Sequence, residues 1–366
     1  MTARVGWRTG WWHALAASLA VLFATVGSGT LECNPLRDTP AIAHGREIYG
    51  RMCAVCHGAV GEGYKADQAP ALANAGFLSS VTDAFLVNAI TAGRVGSTMS
   101  SWGVAHGGPL GVADVSAVVE FMRTWRDGPP AHLDESPLRG DATRGGAVYK
   151  RECARCHGKE GTGGPFVSIG NAQLLSSASN GFLRAAIREG RGRTEMPSFL
   201  ASLGDQGIED ALAHLRALPA GPAPGRSIFA PPARPPPLPL GPVPLNPRGG
   251  EPVGFATTPG FTKADVVHAE LRRGARMAIL DARAPPDYTG EHIAGAVSVP
   301  FYDPEPYVAA LPKDAWLVCY CGCPHAESGQ LAQKLRAKGF TKVTVIDEGL
   351  RYWHTKDYGT HTGLLP

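Results

Sequence analysis

Cys53-Ala54-Val55-Cys56-His57 recurs as Cys153-Ala154-Arg155-Cys156-His157, an offset of 100 residues, and the reading of these two pentapeptides decides the fold of the first half of the chain. Each has the form of a c-type haem attachment site. Two thiols separated by two residues can form thioethers to the vinyl groups of one porphyrin, and the adjoining His57 or His157 then supplies an imidazole nitrogen to the iron. A single Cys-x-x-Cys pair also suits zinc or a redox dithiol. The duplication extends beyond the motif, however. Gly45, Tyr49, Gly58, Gly61 and Gly63 match Gly145, Tyr149, Gly158, Gly161 and Gly163, and Ala89-Ile90, Gly93-Arg94 and Met99 match Ala186-Ile187, Gly190-Arg191 and Met196 after a shortening of three residues.

With these residues in place, the stretch 39–218 resembles the class I c-type cytochromes, small helical domains that enclose a haem. The resemblance implies two covalently attached haem c groups, held through Cys53 and Cys56 and through Cys153 and Cys156. It implies His57 and His157 as proximal iron ligands and Met99 and Met196 as distal ones. His106 or an open iron remains the alternative on the distal side. The expected helices follow the apolar spacing: 43–52 leads into Cys53, 81–91 lies in the middle, and 114–125 carries Val115, Val118, Val119 and Met122 at three- and four-residue steps. The second copy repeats the plan with 147–152, 180–188 and a last helix marked by Ile208, Leu212, Leu215 and Leu218. A short connection over 128–140 should keep the two haems near each other.

The rest of the chain is read from composition and punctuation. A length of 366 residues predicts two or three domains. A net charge of +3 without a dense basic run argues against nucleic acid as a partner. Arg4 and Arg8, the apolar run 11–26 and then Gly27, Ser28 and Gly29 form a charged entry, an apolar middle and a small-residue exit. Residues 1–30 are therefore a signal peptide or an N-terminal membrane anchor, and the bulk of the chain is periplasmic or exported. Glu32 sets a charge before Cys33, which argues against a lipid anchor there. From 219 to 254 proline dominates, and because proline fixes φ and lacks a donor, this segment reads as a semi-rigid spacer of about 3.1 Å per residue.

After residue 255 the texture changes to short apolar strands alternating with helices. Met277-Ala278-Ile279-Leu280, Leu317-Val318-Cys319-Tyr320 and Val343-Thr344-Val345-Ile346 read as strands, with helices at 263–273 and 328–338, which predicts an α/β domain with a parallel sheet. Of the eight cysteines, Cys319, Cys321 and Cys323 crowd together, and this favours a reactive site over a disulfide framework. Leu280-Asp281-Ala282-Arg283, Tyr288, His292-Ile293-Ala294-Gly295-Ala296, Pro300, Gly349 and Trp353 give 255–358 a resemblance to the rhodanese family. In that family a nucleophilic cysteine closes the central strand, which here is Cys321, with the following helix N-terminus favouring its thiolate. The resemblance implies sulfane-sulfur transfer through a Cys321 persulfide. The loop 321–327 departs from the family in being one residue longer, in lacking Arg or Lys to attract thiosulfate, and in holding a second thiol, Cys323. Cys319 reads as a buried strand residue and His325 as either a proton shuttle or a solvated loop residue.

The expected architecture is therefore multidomain: two mostly α cytochrome c domains (39–128 and 139–218), a proline-rich linker (219–254) and an α/β rhodanese-like domain with a parallel sheet (255–366). The expected function is a dihaem electron carrier tethered to a module that handles sulfane sulfur. Its partners are redox proteins, with a terminal oxidase or a sulfur-oxidising enzyme as candidates. The alternatives are a sulfurtransferase whose thiols the cytochromes keep in redox state, and a silent rhodanese fold that serves for docking.

Overall fold

The computed structural model describes residues 38–66, 68–218, 243, 245–255, 260–322 and 324–366. Residues 1–30, most of 219–254, Cys33 and Cys323 lie outside the described residues.

The first repeat opens with α1 (Pro40–Ile48), which starts ahead of the expected 43 because Thr39 caps it, accepting from Ile42 N at 3.2 Å. One π-helical turn, Tyr49–Cys53, carries the chain into α2 (Ala54–His57). Two further helices follow, α3 (Ala75–Ser80) and α4 (Asp83–Ala92), capped by Asn74 and Thr82. The Thr82 cap moves the start of α4 two residues past the periodic pattern. The repeat closes with α5 (Val112–Arg123), whose Asp114 accepts from Gly111 N at 2.8 Å.

The second repeat reproduces this order as α6 (Ala142–Val148), a π turn Tyr149–Cys153, α7 (Ala154–His157), α8 (Ala172–Ser177), α9 (Asn180–Glu189) and α10 (Leu200–Ala217), the last broken at Gly204 with φ 60°. Asp141, Asn171 and Ser179 occupy the matching caps. In each repeat the first helix crosses the last, α1 on α5 and α6 on α10. The crossings explain the matched glycines. A Cβ at Gly45 would lie 2.0 Å from Ala117 O, and one at Gly145 would lie 1.9 Å from Asp210 O. Gly145→Ala is thus expected to destabilise the second repeat by about 3 kcal/mol or more, the upper range for overpacking. Thermal melts of the purified variant against wild type check this.

The C-terminal region is an α/β unit. Its five-stranded sheet has the order β1 (Phe261–Thr262), β6 (Val343–Ile346), β5 (Trp316–Tyr320), β2 (Met277–Asp281) and β4 (Ala296–Ser298), and every pairing is parallel. The register places Leu280 opposite Cys319 and Asp281 opposite Tyr320. All of β2, β5 and β6 is buried, as expected of a parallel sheet covered on both faces. The intervening helices are α11 (Ala264–Arg272), α12 (Pro285–Gly290), α13 (Glu305–Val308), α14 (Ala326–Ala337) and α15 (Gly349–Thr355), and a small antiparallel pair joins β3 (His292–Ile293) to β7 (Thr360–His361). Residues 38–366 form one compact unit, and an apolar cluster runs unbroken from both helical repeats into one face of the sheet. Among the described residues no helix is long and apolar enough to cross a membrane.

Candidate functional site

The two pentapeptides meet in one place. Their histidines, three of the four motif cysteines and both matched methionines line a single crevice of about 650 Å³ between the helical repeats; the fourth, Cys153, packs half-buried against the adjoining core. The lining is mostly apolar, with Phe85, Leu86 and Ile90 matched by Phe182, Leu183 and Ile187.

Each histidine is fixed by its own backbone. Nδ1 of His57 donates to Pro70 O at 2.9 Å, and Nδ1 of His157 donates to Val167 O at 2.9 Å. A carbonyl oxygen only accepts, so the proton sits on Nδ1 and Nε2 keeps its lone pair. Burial pushes both imidazoles below their ordinary value, against the opposing carbonyl contact, which favours the neutral ligand form. Burial likewise pushes the Cys53 thiol up to about 12 and that of Cys153 up to about 11. The glycines after each motif take the same left-handed turns, at φ 84°, 75° and 77° for Gly58, Gly61 and Gly63 and 84°, 76° and 78° for Gly158, Gly161 and Gly163. Tyr49 and Tyr149 then donate to the carbonyls of Gly58 and Gly158 at 2.9 and 2.8 Å.

The methionines sit on matched loops. Arg94 N donates to Met99 O and Arg191 N to Met196 O, both at 2.9 Å. Ser97 Oγ and Thr194 Oγ1 each accept from the methionine N–H at 3.2 Å. His106 lies exposed on a surface turn, Val104–His106, apart from the crevice lining. Arg94 and Arg191 also line the crevice, each guanidinium over a phenylalanine ring, Phe85 at 5.3 Å and Phe182 at 5.2 Å. Burial pushes each down to about 10.

The repeats face each other through reciprocal contacts. Asn74 donates to Gly192 O at 2.6 Å, and Asn171 donates to Val95 O at 2.7 Å, so each repeat's short-helix cap holds the other's methionine loop. Phe85 and Phe182 meet across the seam with ring centroids 5.5 Å apart. The asparagines' role across the seam was not legible in the sequence, since each reads locally as an ordinary helix cap.

The second constellation lies at the carboxyl end of β5. Cys321 is fully buried, and its Sγ lies 3.3 Å from Ser328 Oγ in the first turn of α14. Burial, with Cys321 beside it, holds the Glu327 carboxyl well above the usual carboxylate range. Cys319 is also fully buried, and burial pushes its thiol up. His325 is tied to Asp347 at 2.8 Å and lies against the Phe261 ring, and its side chain stays 35% exposed, so its hydrogen bond goes to Asp347 rather than to Cys321. The residues of the family resemblance brace this end of the sheet. Asp281 is paired with Arg283 at 2.6 Å and accepts from Tyr320 at 2.7 Å; Tyr288 donates to Ala296 O at 2.9 Å and Trp353 to Gly359 O at 3.1 Å. Ser328 and Glu327 were missed in the sequence. Their only local signal is a position in the first turn after the cysteine loop.

Comparison with known proteins divides the chain along the same lines. Residues 40–122 and 140–215 match the family model described as cytochrome c oxidase, cbb3-type, subunit III, and residues 263–356 match that of the rhodanese-like domain. The FixP subunit of the cbb3-type cytochrome c oxidase of Azorhizobium caulinodans is 29% identical over 215 residues, 57% of this chain and 70% of that protein. The corresponding CcoP subunit of Rubrivivax gelatinosus is 31% identical over 158 residues, 43% of this chain and 46% of that protein. The thiosulfate sulfurtransferase GlpE of Pseudomonas fluorescens is 30% identical over 96 residues, 26% of this chain and 86% of that protein.

Proposed function

We propose, for a chain that belongs to the rhodanese-like family over residues 263–356 and carries two cytochrome c domains ahead of it, that it is an exported carrier with two haem c groups in one crevice. The observation that carries this reading is the convergence of His57, His157, Met99 and Met196 on a single apolar cavity. Cys53 and Cys56 would attach one haem and Cys153 and Cys156 the other, with His57, His157, Met99 and Met196 as the residues that would hold the irons. When bound, haem supplies a one-electron centre whose potential is raised by methionine ligation.

The chain's own residues do the rest. The apolar lining excludes water, the histidine carbonyl contacts fix ring orientation, and Arg94 and Arg191 offer cations to the haem carboxylates. The reciprocal asparagine contacts hold the two repeats face to face, which would favour electron exchange between the haems. Likeness to the FixP and CcoP subunits supports an oxidase of the cbb3 type as electron acceptor. The C-terminal domain would carry sulfane sulfur as a Cys321 persulfide.

Optical spectra of the oxidised and reduced protein test the ligation. A long-wavelength sulfur-to-iron band is expected in the oxidised form. Met196→Ala is expected to lower the midpoint potential of one haem by on the order of 0.2 V, a quarter of the roughly 0.8 V that axial ligands span. Potentiometric titration checks this, with the other haem unchanged.

A further inference from the structure

Cys321 is fully buried, and its loop reaches solvent at Pro324. The loop is seated on the first cytochrome repeat, against both sides of its haem crevice. Cys321 and Ala66 form a small buried cluster against which Cys56, the second thiol of the first motif, packs, and α14 lies against α2, the helix that carries Cys56 and His57. On the methionine side, Thr98 Cγ2 lies 3.5 Å from the position of a Cβ at Gly322, Ser100 donates to Asp287, and Trp102 lies 5.6 Å from the Tyr302 ring. Glu327 and Arg351 form part of the crevice wall itself.

The duplicated sequence departs from itself at these positions. Where the first repeat has Thr98, Ser100 and Trp102, the second has Glu195, Pro197 and Phe199. The side chains that touch the C-terminal domain are thus special to the repeat that bears it.

We propose that the chain oxidises hydrosulfide at Cys321, with the electrons entering the haem site of the first repeat where α14 meets α2. This rests on the reading of two haem c groups. Simple sulfur transfer moves no electrons and needs no such contact. The site also disfavours thiosulfate, because Cys321 is fully buried and the loop 321–327 holds no Arg or Lys. Hydrosulfide, which brings a single sulfur atom, is the donor that fits.

In the balanced step, Cys321 thiolate and hydrosulfide form one S–S bond while the S–H bond breaks and its proton leaves to solvent. Two electrons are lost from the two sulfurs, and they pass one each to the two ferric haems. The product is a Cys321 persulfide, whose outer sulfur a thiol or cyanide then removes.

The test uses the full-length oxidised protein without air, treated with sodium sulfide and followed by absorbance and by mass spectrometry of alkylated Cys321 peptides. The expected result is reduction of both haems with one persulfide on Cys321 per chain. Cys321→Ser should keep the oxidised spectrum and slow reduction by about 100-fold or more. Ser100→Pro, which gives the first repeat the residue of the second, should slow it by about tenfold and open Cys321 to iodoacetamide in the resting protein. Reduction of Cys321→Ser at the wild-type rate, or persulfide without haem reduction, overturns the proposal. Dithionite reduction of each variant reports the haems separately, so a missing haem is told apart from a missing sulfur route.

Discussion

Replacing both Cys53 and Cys56 by alanine is expected to leave one haem per chain and to unfold the first repeat. Thioether attachment would keep the haem in the crevice, and without it the apolar residues that line the crevice would face water. Whole domains are stable by only about 5–15 kcal/mol, so loss of the packing that haem gives the apolar lining is enough to unfold one repeat. The expected signs are a lower helical circular dichroism signal and rapid proteolysis within residues 39–128. Cys321 should also become open to alkylation, because the surface that covers it is gone. An unchanged melting curve in this variant would show that the repeats fold around something other than haem.

The second large effect is expected at Cys321 itself. Cys321→Ser should lower cyanide-dependent thiocyanate release from polysulfide-treated protein by about 10³-fold or more, as loss of a nucleophile does. Serine matches the cysteine closely enough to keep the packing against Ala66 and Ser328, so the melting temperature should stay near that of wild type. This separates chemistry from folding. Release that survives the substitution would favour the C-terminal domain as a docking element only.

Most of the fold could be read in the sequence because its signals are local. The two pentapeptides, the glycines after them and the apolar stripe of α5 lie within short windows, and the runs that became β2, β5 and β6 are continuous and apolar, as a doubly covered parallel sheet requires. What escaped is short or distant. Ala75–Ser80 and Ala172–Ser177 span six residues each, too few to show a helical period. The π turns that end at Cys53 and Cys153 leave no compositional mark. The packing of Cys56 against the cluster of Ala66 and Cys321 joins opposite ends of the chain, and no pattern within either segment announces it. The difference between Ser100 and Pro197 was visible all along, yet it has no meaning until Asp287 is found beside Ser100.

The central claim is that two haems are bound through sulfur within one crevice, and intact-mass spectrometry of the purified protein, combined with haem quantitation on the same sample, addresses it most directly. The account predicts a mass equal to the polypeptide plus two haems, with one lost from each chain whose Cys53 and Cys56 or Cys153 and Cys156 are replaced. A polypeptide mass without added haem, or with zinc bound in its place, would contradict it.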